Sequence, residues 1–262
     1  IAIGRNRITK EEFFTPGHRA CTGCGEALAV RLVCKELGNN VIIVNATGCM
    51  EIISTQLPHS AWRIPWIHTL FENTAAVASG IESALKVLMR KGRIPRKKIV
   101  TLAMGGDGGT ADIGLQALSG AMDRKDQIIY FCYDNESFGN TGFQHSAASP
   151  YGSLTLTTPI GKQTPLGNIQ EKKDIYAIMK AHKIPYIATA CPSYPFDLMK
   201  KVKLAAENKP SFIVSLTPCP TGWGLDPGAT VKLGKLAVET GMWVLKECLN
   251  GEERITYKPA ER

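Results

Sequence analysis

Gly105-Gly106-Asp107-Gly108-Gly109 and, 28 positions after Asp107, Asn135 within Asp134-Asn135-Glu136 decide how this chain is read. Each motif closes a short apolar run: Ile99–Met104 precedes the first and Ile128–Tyr133 the second. Such runs read as buried strands, and Ala111–Met122 between them carries helical periodicity. Two neighbouring parallel strands therefore deliver a carboxylate and an amide oxygen to one sheet edge, with glycine backbone amides beside them. Hard oxygen ligands and close-approach glycines suit a Mg²⁺ that carries a diphosphate. The competing reading is an acidic loop and an ordinary turn. Spacing, strands and glycines together favour the metal–diphosphate site.

The same alternation continues outward. Val41–Asn45, Tyr186–Ala190 and Phe212–Leu216 are further short apolar strands. Helical periodicity fits Glu26–Leu37, Ala75–Met89, Asp174–His182, Pro195–Glu207 and Val231–Leu249. Strand–helix alternation predicts an α/β fold, a mainly parallel sheet with helices on both faces. With no internal repeat or long linker, the 262 residues are expected to form one domain, 1–262. Gly139–Lys173 is rich in Gly, Ser, Thr and Pro, and a loop of that length in a compact domain is usually functional or a contact surface. Ile255–Arg262 is polar and reads as a C-terminal arm.

Composition narrows the function classes. Hydrophobic residues make up 44% and charged residues 21%, ordinary values for a globular protein. Charges interrupt every apolar run before it reaches membrane-spanning length, and Ile1–Phe14 lacks a signal-peptide core, so a cytoplasmic location is expected. Net charge is 31 − 23 = +8. The basic residues are scattered, and the one local cluster, Arg90–Lys98, has no aromatic interleaving, which argues against nucleic acid. The surplus suits an acidic partner such as a small electron carrier.

Eight cysteines without a secretion signal argue against a disulfide framework. Cys21 and Cys24 form a CxxC ahead of a helix, Cys49 follows the first strand, and Cys219 lies in a Pro-Cys-Pro turn. All four fall in loops where side chains can converge. Cys34, Cys132 and Cys248 lie inside expected elements and read as small hydrophobes. Cys191, at a strand end, rivals Cys219 for the fourth position. A CxxC is a redox dithiol, half a zinc site or half an iron–sulfur site. The spread-out set suits a 4Fe–4S cluster, and a zinc-stabilised, non-catalytic binding module remains an alternative.

Taken together, Pro16–Gly25, Asn45–Glu51, Ala61–His68, Phe71-Glu72-Asn73, Gly105–Gly109, Tyr133–Glu136, Asn140-Thr141-Gly142 and Pro218–Trp223 resemble the β subunits of the 2-oxoacid:ferredoxin oxidoreductases, the pyruvate synthase family. The likeness runs from about residue 13 to 245. It implies thiamine diphosphate and Mg²⁺ beside a 4Fe–4S cluster, oxidative cleavage of a 2-oxoacid in the presence of coenzyme A, and electron delivery to ferredoxin. Pyruvate is the expected substrate, with a branched-chain 2-oxoacid or oxalate as alternatives. It also implies an α subunit that completes the active site and supplies the thiamine-activating glutamate, and a ferredoxin-like subunit bearing further clusters.

Residue by residue, the resemblance makes Cys21, Cys24, Cys49 and Cys219 the cluster ligands. Asp107, Asn135 and the Ser137 carbonyl become the Mg²⁺ ligands. Thr47, Gly48, Cys49, Phe71, Gly106, Gly108, Gly109 and Thr141 become cofactor contacts, and Asn140 the group nearest the reacting carbonyl. Glu51 and Glu72 are read as structural. So are the five histidines, with His145 a candidate for the substrate pocket. Gly139, Phe143 and His145 differ from the residues expected in pyruvate enzymes, which bears on the substrate rather than the chemistry.

Overall fold

The computed structural model describes residues 8–259. Residues 1–7 and 260–262, where part of the N-terminal reading and part of the expected arm fell, lie outside the described residues. In chain order the elements are α1 (Gly25–Leu37), β1 (Val41–Ala46), α2 (Cys49–Ser54), β2 (Trp66–Thr69), α3 (Thr74–Arg90), β3 (Val100–Gly106), a π-helical turn (Gly109–Ile113), α4 (Leu115–Asp123), β4 (Ile128–Asp134), α5 (Ile175–Ala181), β5 (Tyr186–Ala190), α6 (Pro195–Glu207), β6 (Ser211–Leu216), α7 (Pro220–Trp223), a 3-10 turn (Pro227–Ala229), α8 (Thr230–Glu239), β7 (Lys246–Leu249) and β8 (Glu252–Ile255).

Along β3, successive side chains enter opposite cores, which is why its sequence is apolar without alternation. Leu102 and Met104 pack with Ile43, Phe131 and Ile213 under α1 and α6. Ala103 packs with Val44, Tyr130, Cys132 and Phe212 under α3, α4 and α5. Phe131 is completely buried, a contribution of about 1.5–3 kcal/mol from that side chain.

The eight-stranded sheet runs β2-β1-β3-β4-β6-β5-β7-β8. All pairs from β2 to β5 are parallel, whereas β7 and β8 add antiparallel. The expected mainly parallel sheet covered on both faces is therefore present. From β1 the chain moves outward to β2, while from β3 it moves the other way to β4. The carboxyl ends of β1 and β3 thus part, leaving the crevice where open α/β sheets receive ligands.

Several expected boundaries change. Val231–Leu249 is not one helix: α8 stops at Glu239, Gly241 adopts φ +78, and Lys246–Leu249 pairs with β5 instead. An open sheet edge outcompetes the helical pattern there. Cys248 consequently sits in β7, buried in the core, rather than on a helix. Ala111–Met122 is broken at Gly114, whose amide bonds back to Gly109 across the π turn. The chain from Lys246 to Ile255 forms a hairpin on the sheet edge, so Ile255 belongs to β8 rather than to an arm. Among the described residues no helix is long and apolar enough to cross a membrane.

Candidate functional site

Three strand ends converge on one cleft. After β1 come Thr47, Gly48 and Cys49; after β3, Gly106 leads into Asp107, Gly108 and Gly109; after β4, Asn135, Ser137, Asn140 and Thr141 follow. Phe71 closes one wall. Every residue that the resemblance placed at the thiamine cofactor or its cation thus lines the same space, as Cys21, Cys24 and Cys219 do not. Asn140 and Thr141 lie at its exposed rim.

Asp107 is 2% exposed. Its carboxylate accepts from the Ser146 hydroxyl and, at 3.4 Å, from the Asn135 amide. Burial and the neighbouring Asp134 carboxylate push Asp107 well above the usual carboxylate range. The Lys172 ammonium, whose charge acts in the opposite direction on Asp107, pairs with Asp134 at 2.8 Å. Among the described residues no side-chain cation pairs directly with the buried Asp107 carboxylate, which fits a site for a divalent ion.

Asn135 joins this centre to the rest of the site. Its Nδ2 donates to Glu26 Oε1 at 2.5 Å, its Oδ1 accepts from the Ser137 amide at 3.2 Å, and its carbonyl accepts from Trp223 Nε1 at 3.0 Å. Glu26 is buried, and desolvation lifts its pKa to about 7. Among the described residues its second oxygen has no partner, and neither does Asn45 Oδ1. An unpartnered buried carboxyl oxygen in a cleft wall is an acceptor free for a ligand donor. The glycines keep the cleft open. A Cβ on Gly108 would stand 2.3 Å from the Phe138 ring, and one on Gly139 2.9 Å from Asn135 Nδ2.

The cysteine loops approach from the same side. Cys24 caps α1, its sulfur accepting from Ala27 N at 3.5 Å, and Cys219 caps α7, accepting from Gly222 N at 3.3 Å. Gly25 N donates to Pro218 O at 3.2 Å, and a Cβ on Gly25 would lie 2.6 Å from that oxygen. Only glycine lets the CxxC loop and the Cys219 turn meet this closely. Burial first, then Glu26 and neighbouring thiols, pushes Cys24 up to about 12 and raises Cys49 and Cys219. Cys21, Cys24 and Cys219 all act on Cys49. The four thiols therefore share one electrostatic neighbourhood. Among the described residues no three His, Cys, Asp or Glu side chains gather around a single ion. A cluster spreads its thiolates over separate irons, so this wider arrangement remains compatible with one. Cys191 is instead buried with Val238 and Leu245.

Glu26, Tyr133, Phe138 and Gly139 also line the cleft and were not assigned from the sequence. Glu26 had a usable signal, because it follows the CxxC-Gly stretch in the first turn of α1. His145 lies in another cleft with Thr157 and Asn168, not in this one. His68 accepts or donates at 2.7 Å to Thr47 Oγ1, a contact at the cleft edge that its structural reading did not anticipate. Glu51 stands 3.9 Å from His68, and Glu72 is exposed.

A family model described as "Thiamine pyrophosphate enzyme, C-terminal TPP binding domain" matches residues 46–215. Pyruvate synthase subunit PorB of Methanocaldococcus jannaschii is 56% identical over 258 residues, covering 98% of this chain and 86% of the relative. This chain belongs to the β-subunit family of the 2-oxoacid:ferredoxin oxidoreductases. Within that family, ketoisovalerate oxidoreductase subunit VorB of Pyrococcus abyssi is 46% identical over 246 residues, covering 94% of this chain and 78% of the relative. The solved 2-oxoglutarate:ferredoxin oxidoreductase from Magnetococcus marinus shares the fold, with a TM-score of 0.64 at 20% identity over 87% of this chain and 82% of that one. The thiamine-binding model begins at Ala46, so the Cys21–Cys24 stretch falls outside it.

Proposed function

We propose that this chain carries the thiamine diphosphate of a complex that cleaves a 2-oxoacid oxidatively, pyruvate first, releasing CO₂ and sending electrons through a 4Fe–4S cluster to ferredoxin. One observation carries the reading: Cys49 lines the cofactor cleft, and so does Glu26, beside which Gly25 and Pro218 staple the Cys24 and Cys219 loops together. Cofactor and electron acceptor would then share a wall. Identity of 56% to the Methanocaldococcus jannaschii PorB puts pyruvate first, while the 45% of the Thermotoga maritima PorB and the 46% of VorB keep a branched 2-oxoacid in the substrate panel.

Asp107, Asn135 and the Ser137 carbonyl would hold Mg²⁺, with Gly106, Gly108 and Gly109 leaving space for the diphosphate. Thr47, Gly48, Phe71 and Thr141 would bound the organic part. When bound, thiamine diphosphate supplies the nucleophile and electron sink for the cleavage. This chain's own groups orient and exclude. The edge-on Phe71–Phe138 pair, 6.2 Å between centroids, keeps water from one wall. Asn140 at the open rim can hydrogen-bond a developing oxyanion without losing a proton. Glu26 fixes the Asn135 amide from behind. Cys21, Cys24, Cys49 and Cys219 would ligate the cluster, whose irons would relieve the thiol crowding.

Nothing in the cleft is assigned the role of thiamine activator. An α subunit would complete the site, and a ferredoxin-like subunit and ferredoxin would meet the basic surface, +8 overall. The assembled complex, purified anaerobically, tests the proposal through viologen reduction with pyruvate, a branched 2-oxoacid and oxalate, each with and without coenzyme A. Coenzyme A-dependent reduction strongest with pyruvate supports it. No reduction by any 2-oxoacid contradicts it.

A further inference from the structure

Glu136 sits between Asn135 and Ser137, the two positions assigned above to the cation, and its backbone is left-handed at φ 67. An L-residue with a Cβ holds that conformation only when its surroundings enforce it. Three contacts do so. The Glu136 amide donates to Asp134 Oδ1 at 2.9 Å, its carbonyl accepts from the Ser149 hydroxyl at 2.7 Å, and its carboxylate accepts from Lys172 Nζ at 3.0 Å. The same ammonium reaches Asp134 Oδ2 at 2.8 Å. Lys172 therefore bridges the two acidic residues that flank Asn135. Side-chain exposures of 29%, 3% and 14% for Lys172, Asp134 and Glu136 make this a largely dry triad rather than a surface pair. The ammonium also stands 5.1 Å from the centroid of the Trp243 ring.

The next residue fastens the other ligand-bearing segment. Lys173 Nζ donates to Ala111 O at 2.6 Å and approaches Asp112 Oδ1 at 3.4 Å, both in the π turn just beyond Asp107. Its amide donates to Ala147 O at 2.8 Å. Two consecutive lysines at the end of the 139–173 loop thus tie together the segments that follow β3 and β4. The sequence had marked this loop as functional or partner-facing without assigning either lysine.

We propose that Lys172 is a positioning residue for the divalent cation: by bridging Asp134 and Glu136 it sets the left-handed turn that aims the Asn135 side chain and the Ser137 carbonyl at the ion. The inference rests on the metal reading of Asp107, Asn135 and Ser137. Without the ammonium, the Asp134 and Glu136 carboxylates repel each other beside Asp107, and the turn keeps only its bonds to Asp134 Oδ1 and the Ser149 hydroxyl. Loss of a merely structural ion pair would lower stability and leave ion affinity alone.

The test is Mn²⁺ binding, followed by electron paramagnetic resonance, to the assembled complex in the presence of thiamine diphosphate. Lys172→Met should weaken Mn²⁺ binding about 10–100-fold, as loss of an outer-sphere partner does, with iron content unchanged. Lys172→Arg should recover part of the loss. Ser149→Ala, which removes one contact to the Glu136 carbonyl, should weaken Mn²⁺ binding by about 2–10-fold, in line with one hydrogen bond. Wild-type Mn²⁺ affinity in Lys172→Met, with or without a lowered melting temperature, overturns the inference. If that variant fails to assemble, unchanged affinity in Ser149→Ala overturns it instead. Absence of thiamine-dependent Mn²⁺ binding by the unmodified complex would overturn the metal reading itself, a separately recognisable result.

Discussion

The strand-end cleft and the cysteine loops meet through Cys49 and Glu26, yet the chain builds them in opposite ways. Asp107 and Asn135 stand 135 − 107 = 28 residues apart and emerge from hydrogen-bonded neighbouring strands, β3 and β4. One strand–helix–strand unit is enough to bring them together. Cys24 and Cys219 are 219 − 24 = 195 residues apart and meet only because α1 and the segment after β6 are stapled through Gly25 and Pro218. Both regions bury acidic groups without enough positive charge. The cleft offsets part of its charge internally, through Lys172 on Asp134, whereas burial and the Glu26 carboxylate both oppose ionisation of the thiols. The lesson is that the strand-end site should remain formed without its cation, while the cysteine site should depend far more on what it binds.

The largest expected effect lies on the cysteine side. Cys219→Ala should remove the cluster, taking iron and sulfide from this chain and dropping acceptor reduction to background. Cys191→Ala and Cys248→Ala, which alter only packed apolar positions, should leave iron content and the visible absorption unchanged. Full iron in Cys219→Ala would break the contrast between the two regions.

Asp107→Asn comes next and has opposite consequences in two states. With Mg²⁺ and thiamine diphosphate, affinity should fall by more than the ~10–100-fold typical of losing an outer partner. In metal-free protein the same change removes a buried, uncompensated carboxylate and should raise stability by roughly 1–3 kcal/mol. Thermal melts with and without the ligands check the sign reversal.

Glu26 belongs to both regions and sharpens the comparison through pH. Its folded pKa of about 7 lies above the ordinary 4.5 because burial disfavours the charged form. A raised value contributes stability that is fully present below pH 4.5 and is lost as pH rises through about 7. The metal-free protein should therefore lose up to about 3 kcal/mol across that window. Glu26→Gln should flatten that part of the pH–stability curve measured by denaturant unfolding.

Two glycines give the smallest contrast. Gly108→Ala pushes against the Phe138 ring, which can turn aside, and should cost about 1–3 kcal/mol. Gly23→Ala meets the Pro227 carbonyl at 2.2 Å from a backbone at φ +75, and backbone cannot step aside. It should destabilise more than Gly108→Ala in the same melts. The reverse order would show that the cysteine loops are the softer region.

The ease with which each part was read follows the same division. The parallel core was plain because strands buried on both faces must be continuously apolar, as Ile128–Tyr133 and Tyr186–Ala190 are. Asp107 and Asn135 were plain because they directly follow apolar strands, whereas Thr47, Gly48, Phe71, Asn140 and Thr141 came from the family resemblance alone. β2 was missed since Trp66-Ile67-His68-Thr69 is short and half exposed. β7 was hidden because Leu245–Leu249 continues a helical period, and only the free edge of β5 makes it a strand. Glu26 was overlooked because the CxxC beside it absorbed the reading of that turn. Lys172 could not be read at all: its role exists only where a distant loop folds back onto Asp134 and Glu136. Residue chemistry showed in the sequence where ligands lie near strand ends, and vanished where tertiary return brings the partner.

The central claim is that cofactor and cluster share one wall at Cys49. Iron-edge anomalous diffraction from crystals of the anaerobically prepared complex tests it most directly. The account expects a strong iron peak enclosed by Cys21, Cys24, Cys49 and Cys219, adjoining the cleft that holds Asp107 and Asn135. Iron confined to other subunits, with those four sulfurs bare or bound to zinc, would contradict it.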